Sequence, residues 1–183
     1  MNLLPLKASR DNLLGLEMGR GLLPCYLTCA PENTGYPAMA YDKAKFHYDG
    51  DFPKDLAPEN GGTHIGMFLA WAIHRGLASE ELIEDAAGEI DAVRDRRKTG
   101  RELLFTYLDQ GIGEDDLNDE GNAFAESYYA SNTFLKDYEK LFTNRYPTCY
   151  HVEDTWENFD LVADMIDKRY AKWKAKHGGP AAG

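Results

Sequence analysis

Histidine and carboxylate are the side chains here that could hold a first-row metal or relay a proton. They gather most densely from Tyr41 to Trp71, a stretch reading YDKAKFHYDGDFPKDLAPENGGTHIGMFLAW with two histidines, five acids and six aromatics. A polar, turn-rich loop there switches abruptly into one of the most apolar helical segments of the chain. A junction of that kind is where a site would naturally sit. His47, His64 and His151 all lie in polar or acidic settings, respectively His47-Tyr48-Asp49-Gly50-Asp51, Thr63-His64 and His151-Val152-Glu153-Asp154. A metal could draw such loops together, but no two of the three stand at a local ligand spacing such as HxxxH, so spacing assigns no metal. His64 is equally well explained as a neutral imidazole hydrogen-bonded at a helix N-terminus. His74 and His177 fall near helix C-termini, where a cationic ring is favoured by the helix dipole. A ligand or catalytic site in this chain would gather His47, Asp51, His64, Glu120, His151 and Asp154.

A second concentration is purely acidic. Asp109, Glu114, Asp115, Asp116, Asp119, Glu120 and Glu126 fall in one stretch that contains no Lys or Arg. Read as a calcium loop beginning at Asp116, it places Asn118, Glu120 and Gly121 at the third, fifth and sixth positions. The twelfth position, which should grip the ion with a bidentate acid, is Ser127, and the register fails there. The bland reading is a solvated acidic face leading into a helix. The sharper one is an acidic surface that docks into a basic cleft, with Asp115, Asp116, Asp119 and Glu120 as its contacts. Tyr128 and Tyr129 would be its amphipathic anchors, although tyrosines at helical positions are more often core.

Nucleophile arrangements are poor. Cys149-Tyr150-His151 places a thiol near an imidazole in sequence only, and no GxSxG elbow, phosphate-binding glycine loop or HExxH is present. No catalytic residue, metal or cofactor is assigned on these grounds.

The elements that must position these residues are helical. Thr63 is placed to cap a helix from His64 to Ile73 that ends near Gly76 and is apolar on nearly every side, hence central and buried. Ser79 opens another, with Glu80 and Glu81 in its first turn. A helix or turn with Ile90 and Val93 follows, closing on Arg94, Arg96, Arg97 and Lys98. Thr99-Gly100-Arg101-Glu102 has capping-box spacing. Asp154 and Glu157 have the spacing of a capping pair for the last helix, whose apolar stripe is Trp156, Phe159, Val162, Ala163, Ile166, Tyr170 and Trp173. Lys45–Tyr48 and Thr148–Val152 are the candidate extended pieces, placed to pair with one another. The expected fold is mainly α-helical, a single helical domain with at most a short extended pair.

Composition bounds the function. A chain of 183 residues, 43% hydrophobic and 12% aromatic, builds a globular core without staples. The formal charge of -11 argues against nucleic-acid binding, which needs clustered Lys and Arg. No apolar run approaches the roughly 20 residues of a membrane span. The three cysteines make no disulfide framework, and a reduced, cytoplasmic protein is expected. Residues 1–38 carry three bases and three acids, so the whole negative charge belongs to residues 39–183. The first 38 residues are expected to be a poorly ordered leader or an upstream extension, with Met39 the natural start. Residues 39–177 then form the helical domain and 178–183 a flexible tail.

The string from His47 to Trp71 resembles the HYxGDFPxxLxxExxxTHIGMFLxW signature of an uncharacterised bacterial family. The matching residues are His47, Tyr48, Gly50, Asp51, Phe52, Pro53, Leu56, Glu59, Thr63–Leu69 and Trp71. Leu117–Ala125 and Tyr150–Trp156 resemble the family's later blocks, so the likeness covers most of residues 40–173. The resemblance implies no assigned reaction. In general character such small acidic proteins are similar to immunity proteins that neutralise bacterial toxins. The expected function is accordingly a cytoplasmic, toxin-neutralising binding protein that occludes a bacterial toxin or effector through its acidic surface. The alternative is a metal- or small-ligand-dependent enzyme with a His/acid site at the His47–His64 loop. The two differ in one structural respect: a working pocket requires the His and acid side chains to converge beside a cavity.

Overall fold

The computed structural model describes residues 40–48 and 52–177; the expected leader, Asp51 and the expected tail lie outside them. Seven α-helices are present among these residues: α1 (Thr63–His74), α2 (Glu80–Asp85), α3 (Ala87–Arg94), α4 (Gly100–Thr106), α5 (Asp119–Tyr128), α6 (Thr133–Phe142) and α7 (Trp156–His177). Two short strands, β1 (Ala40–Lys43) and β2 (Gly111–Gly113), pair antiparallel with Asp42 opposite Ile112, and an irregularity interrupts the register between Ala40 and Asp42. The architecture is mainly α, as expected.

α1 is the axis of the molecule. Every residue from Thr63 to Ile73 is buried, which is what its all-round apolarity demands. α4 crosses it at backbone contact. A Cβ on Gly100 would stand 1.9 Å from the Gly66 carbonyl oxygen, and one on Gly66 would stand 2.3 Å from the Arg101 nitrogen. Two glycines facing each other at the crossing let the helices approach that far. α7 closes another side with Phe159, Val162 and Ile166 buried. It is tied to α1 where Asp167 accepts from Trp71 Nε1 at 2.8 Å and pairs with Arg75.

Local signals set most helix starts. Ser79 Oγ accepts from Leu82 N at 3.1 Å. Thr99 and Glu102 form the reciprocal capping box. Asn118 caps α5 by accepting from Gly121 N at 2.9 Å.

Several local expectations are corrected. Thr63 is the first helical residue and not the cap; Gly62 precedes it, and the Thr63 hydroxyl instead accepts from Arg101 Nη1 at 3.1 Å. Thr155, not Asp154, caps α7, accepting from Asn158 N at 3.2 Å, because Asp154 is drawn away to Thr99 and Arg101. The segments expected to pair as extended chain are 3-10 turns, Ala44–His47 and Cys149–His151. The real sheet uses the residues just before the first of them and a Gly-Ile-Gly segment too short to show alternation.

Candidate functional site

β1 delivers Asp42 into the interior, and the 3-10 turn after it swings His47 back toward it. α1 then starts beneath them, presenting His64 from its first turn. All three side chains are buried: Asp42 is 7% exposed and each histidine 2%. His47 Nε2 lies 3.0 Å from Asp42 Oδ1, and His64 Nε2 lies 3.3 Å from Asp42 Oδ2. The imidazoles meet edge to face with centroids 4.7 Å apart.

Two tyrosines complete the centre. Tyr129, just after α5, donates its hydroxyl to Asp42 Oδ2 at 2.8 Å. Tyr150 places its hydroxyl 3.3 Å from His47 Nδ1. The Lys43 amide donates to Asp42 Oδ1 at 2.8 Å, so one carboxylate is approached by four polar groups. That count uses the roughly four lone-pair sites a carboxylate offers.

The electrostatics follow from this geometry. Burial alone would raise Asp42, but the two adjoining imidazoles, His47 foremost, outweigh it and hold the carboxyl below the usual range. Burial pushes His64 down, with His47 adding to the effect and Asp42 opposing it. Burial and the charge of Asp42 drive Tyr129 well above the ordinary phenol value, so it stays a donor. The centre therefore holds an ionised carboxylate, a neutral His64 imidazole and a protonated phenol. That combination can accept a proton or supply ligands to a cation.

Beside it lies a cavity of about 180 Å³ lined by Asp42, His47, His64 and Tyr129, with Tyr41, Asn132 and Phe134 among its other walls. Its far side is the turn between α5 and α6, where Ala130 is exposed and Asn132 adopts a left-handed backbone with φ +62°. Among the described residues, Asp42, His47 and His64 form a group able to hold a metal ion, their donor atoms within 4.8 Å of one another.

The other sequence-level candidates do not join this centre. His151 bonds Thr148 through Nδ1 at 2.8 Å and faces Asp55 at 3.6 Å. Asp154 accepts from Thr99 at 2.6 Å and pairs with Arg101 at 3.1 Å. Glu120 serves Lys174 at 2.6 Å and the Tyr170 hydroxyl. Asp51 lies outside the described residues.

On the acidic stretch, Asp109, Glu114, Asp115, Asp119 and Glu126 are exposed. Asp116 instead turns inward to accept from Gly113 N at 2.7 Å. Tyr128 and Tyr129 are not presented at the surface: they are 3% and 8% exposed. Tyr128 donates to Asp137 at 3.0 Å. Their apolar bodies have more to gain from the core than from water, so the expected interface anchors became packing residues, one of them part of the buried centre.

Asp42 and Tyr150 are thus the site residues that sequence reasoning missed, while Tyr129 was expected in another role. Asp42 lay inside the stretch already singled out, five residues before His47. It carried no local signal of burial, since Lys43 and Lys45 follow it and its strand neighbours are half-buried.

The fold and the site together define a small helical domain organised around a buried His–Asp–His centre. The chain belongs to the family of the domain of unknown function DUF7832, which matches residues 40–152. All five residues of the centre fall inside that match, and α7 lies beyond it. No curated protein and no solved structure matches the chain.

Proposed function

We propose that the protein works through the Asp42–His47–His64 centre, as a metal- or small-ligand-dependent protein whose ligand occupies the adjoining cavity. One observation carries the reading: two histidines from different elements, His47 and His64, converge on a single buried carboxylate with a cavity beside them. Structural hydrogen bonding alone needs no such cavity, and the remaining described candidates, His151, Asp154 and Glu120, serve separate bonds elsewhere. A cavity of about 180 Å³ is smaller than the roughly 300–1,000 Å³ of drug-sized sites. The ligand is accordingly small, such as an ion with its water or a compact polar molecule.

The test is a thermal-shift screen of the full chain against divalent cations and small organic acids, alcohols and amides. At least one compound should raise the Tm of the native protein and leave His64→Gln unmoved. Compounds that shift both proteins equally, or none that shift either, would discard the reading.

A second reading rests on a different observation, the exposed run Asp109, Glu114, Asp115, Asp119 and Glu126. It supports an immunity-type protein that covers the basic cleft of a bacterial toxin or effector. No helix among the described residues is long and apolar enough to cross a membrane. Reversing Glu114, Asp115, Asp119 and Glu126 to lysine leaves the inward contacts of Asp116 and Glu120 intact. With a candidate toxin as the probe, the reversed protein should lose inhibition at least 100-fold with unchanged circular dichroism. Full inhibition by the variant would exclude that surface.

A further inference from the structure

The geometry points to a divalent first-row transition-metal site formed by Asp42, His47 Nε2 and His64 Nε2, with a remaining coordination position open to the cavity. This rests on the ligand-site reading above and names the ligand's chemical class.

Three features support it. The first is donor spacing. Bonds of about 2.0–2.1 Å to zinc in a tetrahedral arrangement place neighbouring donors roughly 3.3 Å apart. His47 Nε2 stands 3.0 Å from Asp42 Oδ1 and His64 Nε2 stands 3.3 Å from Asp42 Oδ2, so the carboxylate meets the two imidazoles with one oxygen each, and one donor atom from each residue lies within 4.8 Å of the others. The second is the donor set itself. Two imidazoles and one carboxylate suit zinc or ferrous iron, whereas calcium and magnesium take oxygen almost exclusively.

The third feature is the outer shell. A ligating histidine characteristically engages a polar partner through its other ring nitrogen. The Tyr150 hydroxyl stands 3.3 Å from His47 Nδ1, and a hydroxyl can donate or accept. It therefore suits the ring whether Nε2 carries a proton toward Asp42 or a lone pair toward a metal. The Asp42 oxygens also have outer partners, in the Tyr129 hydroxyl and the Lys43 amide. Three protein ligands with a cavity alongside is the pattern of a site that keeps one position for water or substrate, not of a closed structural site.

The decisive experiment uses the full chain, stripped with a chelator and titrated with Co2+ under anaerobic conditions, following the visible d–d absorption. The expected result is saturation at one ion per chain, displacement by Zn2+, and at least 100-fold weaker binding in His47→Gln and in His64→Gln. Tyr150→Phe removes only a hydroxyl and should weaken Co2+ by roughly 10- to 100-fold. It is the readout to use if either histidine variant fails to fold. Absence of saturable uptake overturns the site. So does uptake that survives His47→Gln and His64→Gln, or Tyr150→Phe, unchanged, which would place the ion elsewhere on the chain. If Co2+ does not bind but an organic ligand from the thermal screen is lost in His64→Gln, the metal falls while the ligand site stands.

Discussion

Gly100→Ala is expected to cost about 3 kcal/mol or more, at the upper end of what overpacking does, and to leave the protein largely unfolded on mild heating. The new methyl would sit 1.9 Å from the Gly66 carbonyl oxygen and 2.8 Å from its carbon. These are backbone atoms of the central helix, so no side chain can rotate away to make room. Relief requires α4 to move off α1, and that opens the core over Leu103 and Leu104, which are fully buried. Gly66→Ala should behave alike, since its methyl meets Arg101 N and Cα at 2.3 and 2.5 Å. The internal control is Gly88→Ala. Gly88 lies in α3 with nothing within 4 Å of a new methyl, and there the substitution should stabilise by about 0.5–1 kcal/mol through helix propensity. Urea unfolding of the three variants checks the contrast. A Gly100→Ala protein within about 1 kcal/mol of the native one, well short of the overpacking range, would mean the two helices are not held at backbone contact.

Asp42→Asn is expected to cost about 3 kcal/mol or more, because several hydrogen bonds to a charged group, each contributing about 1.5–3 kcal/mol, are weakened or lost together. Asparagine keeps the shape but loses the charge, and it turns one acceptor oxygen into a donor. That amine would face at least one of the groups now gathered on the carboxylate: the Lys43 amide, the Tyr129 hydroxyl and the two imidazoles. The loss should be felt on several elements at once, because Asp42 joins β1 to the start of α1 and to the end of α5. Tyr129→Phe removes one donor and leaves the carboxylate ionised, so its cost should be only about 1–3 kcal/mol. Denaturant midpoints of both variants, with the slope monitored for two-state behaviour, give the comparison. Equal costs for the two would show that the charge of Asp42 contributes little and that packing alone holds the centre.

The contrast between those two experiments mirrors what can be read locally and what cannot. The mainly helical architecture was legible because its signals are short-range. Ser79 and Thr99 cap their helices within three residues, the apolar run of α1 announces burial whatever packs on it, and the stripe of α7 repeats at helical spacing. The failures came where a side chain had a better distant partner. Asp154 stands at a helix entrance by sequence, yet Arg101 and Thr99 claim it, and Thr155 takes over the cap. Tyr128 and Tyr129 sit beside an acidic surface by sequence, yet their rings turn into the core.

The site divides the same way. The sequence by itself singled out the stretch containing His47 and His64, because a polar loop running into an apolar helix concentrates polar side chains at a buried edge. It determined the central and last helices, the Ser79 and Thr99 caps and the acidic face, all of which depend on neighbours a few residues apart. Only the tertiary structure decided that the two histidines share one carboxylate, that Asp42 is that carboxylate, and that Tyr129 and Tyr150 close the network. Those contacts join residues up to 103 positions apart. They exist because β1, α1 and the end of α5 pack around one buried point. No local periodicity encodes such a meeting; it is the outcome of burying the whole core at once.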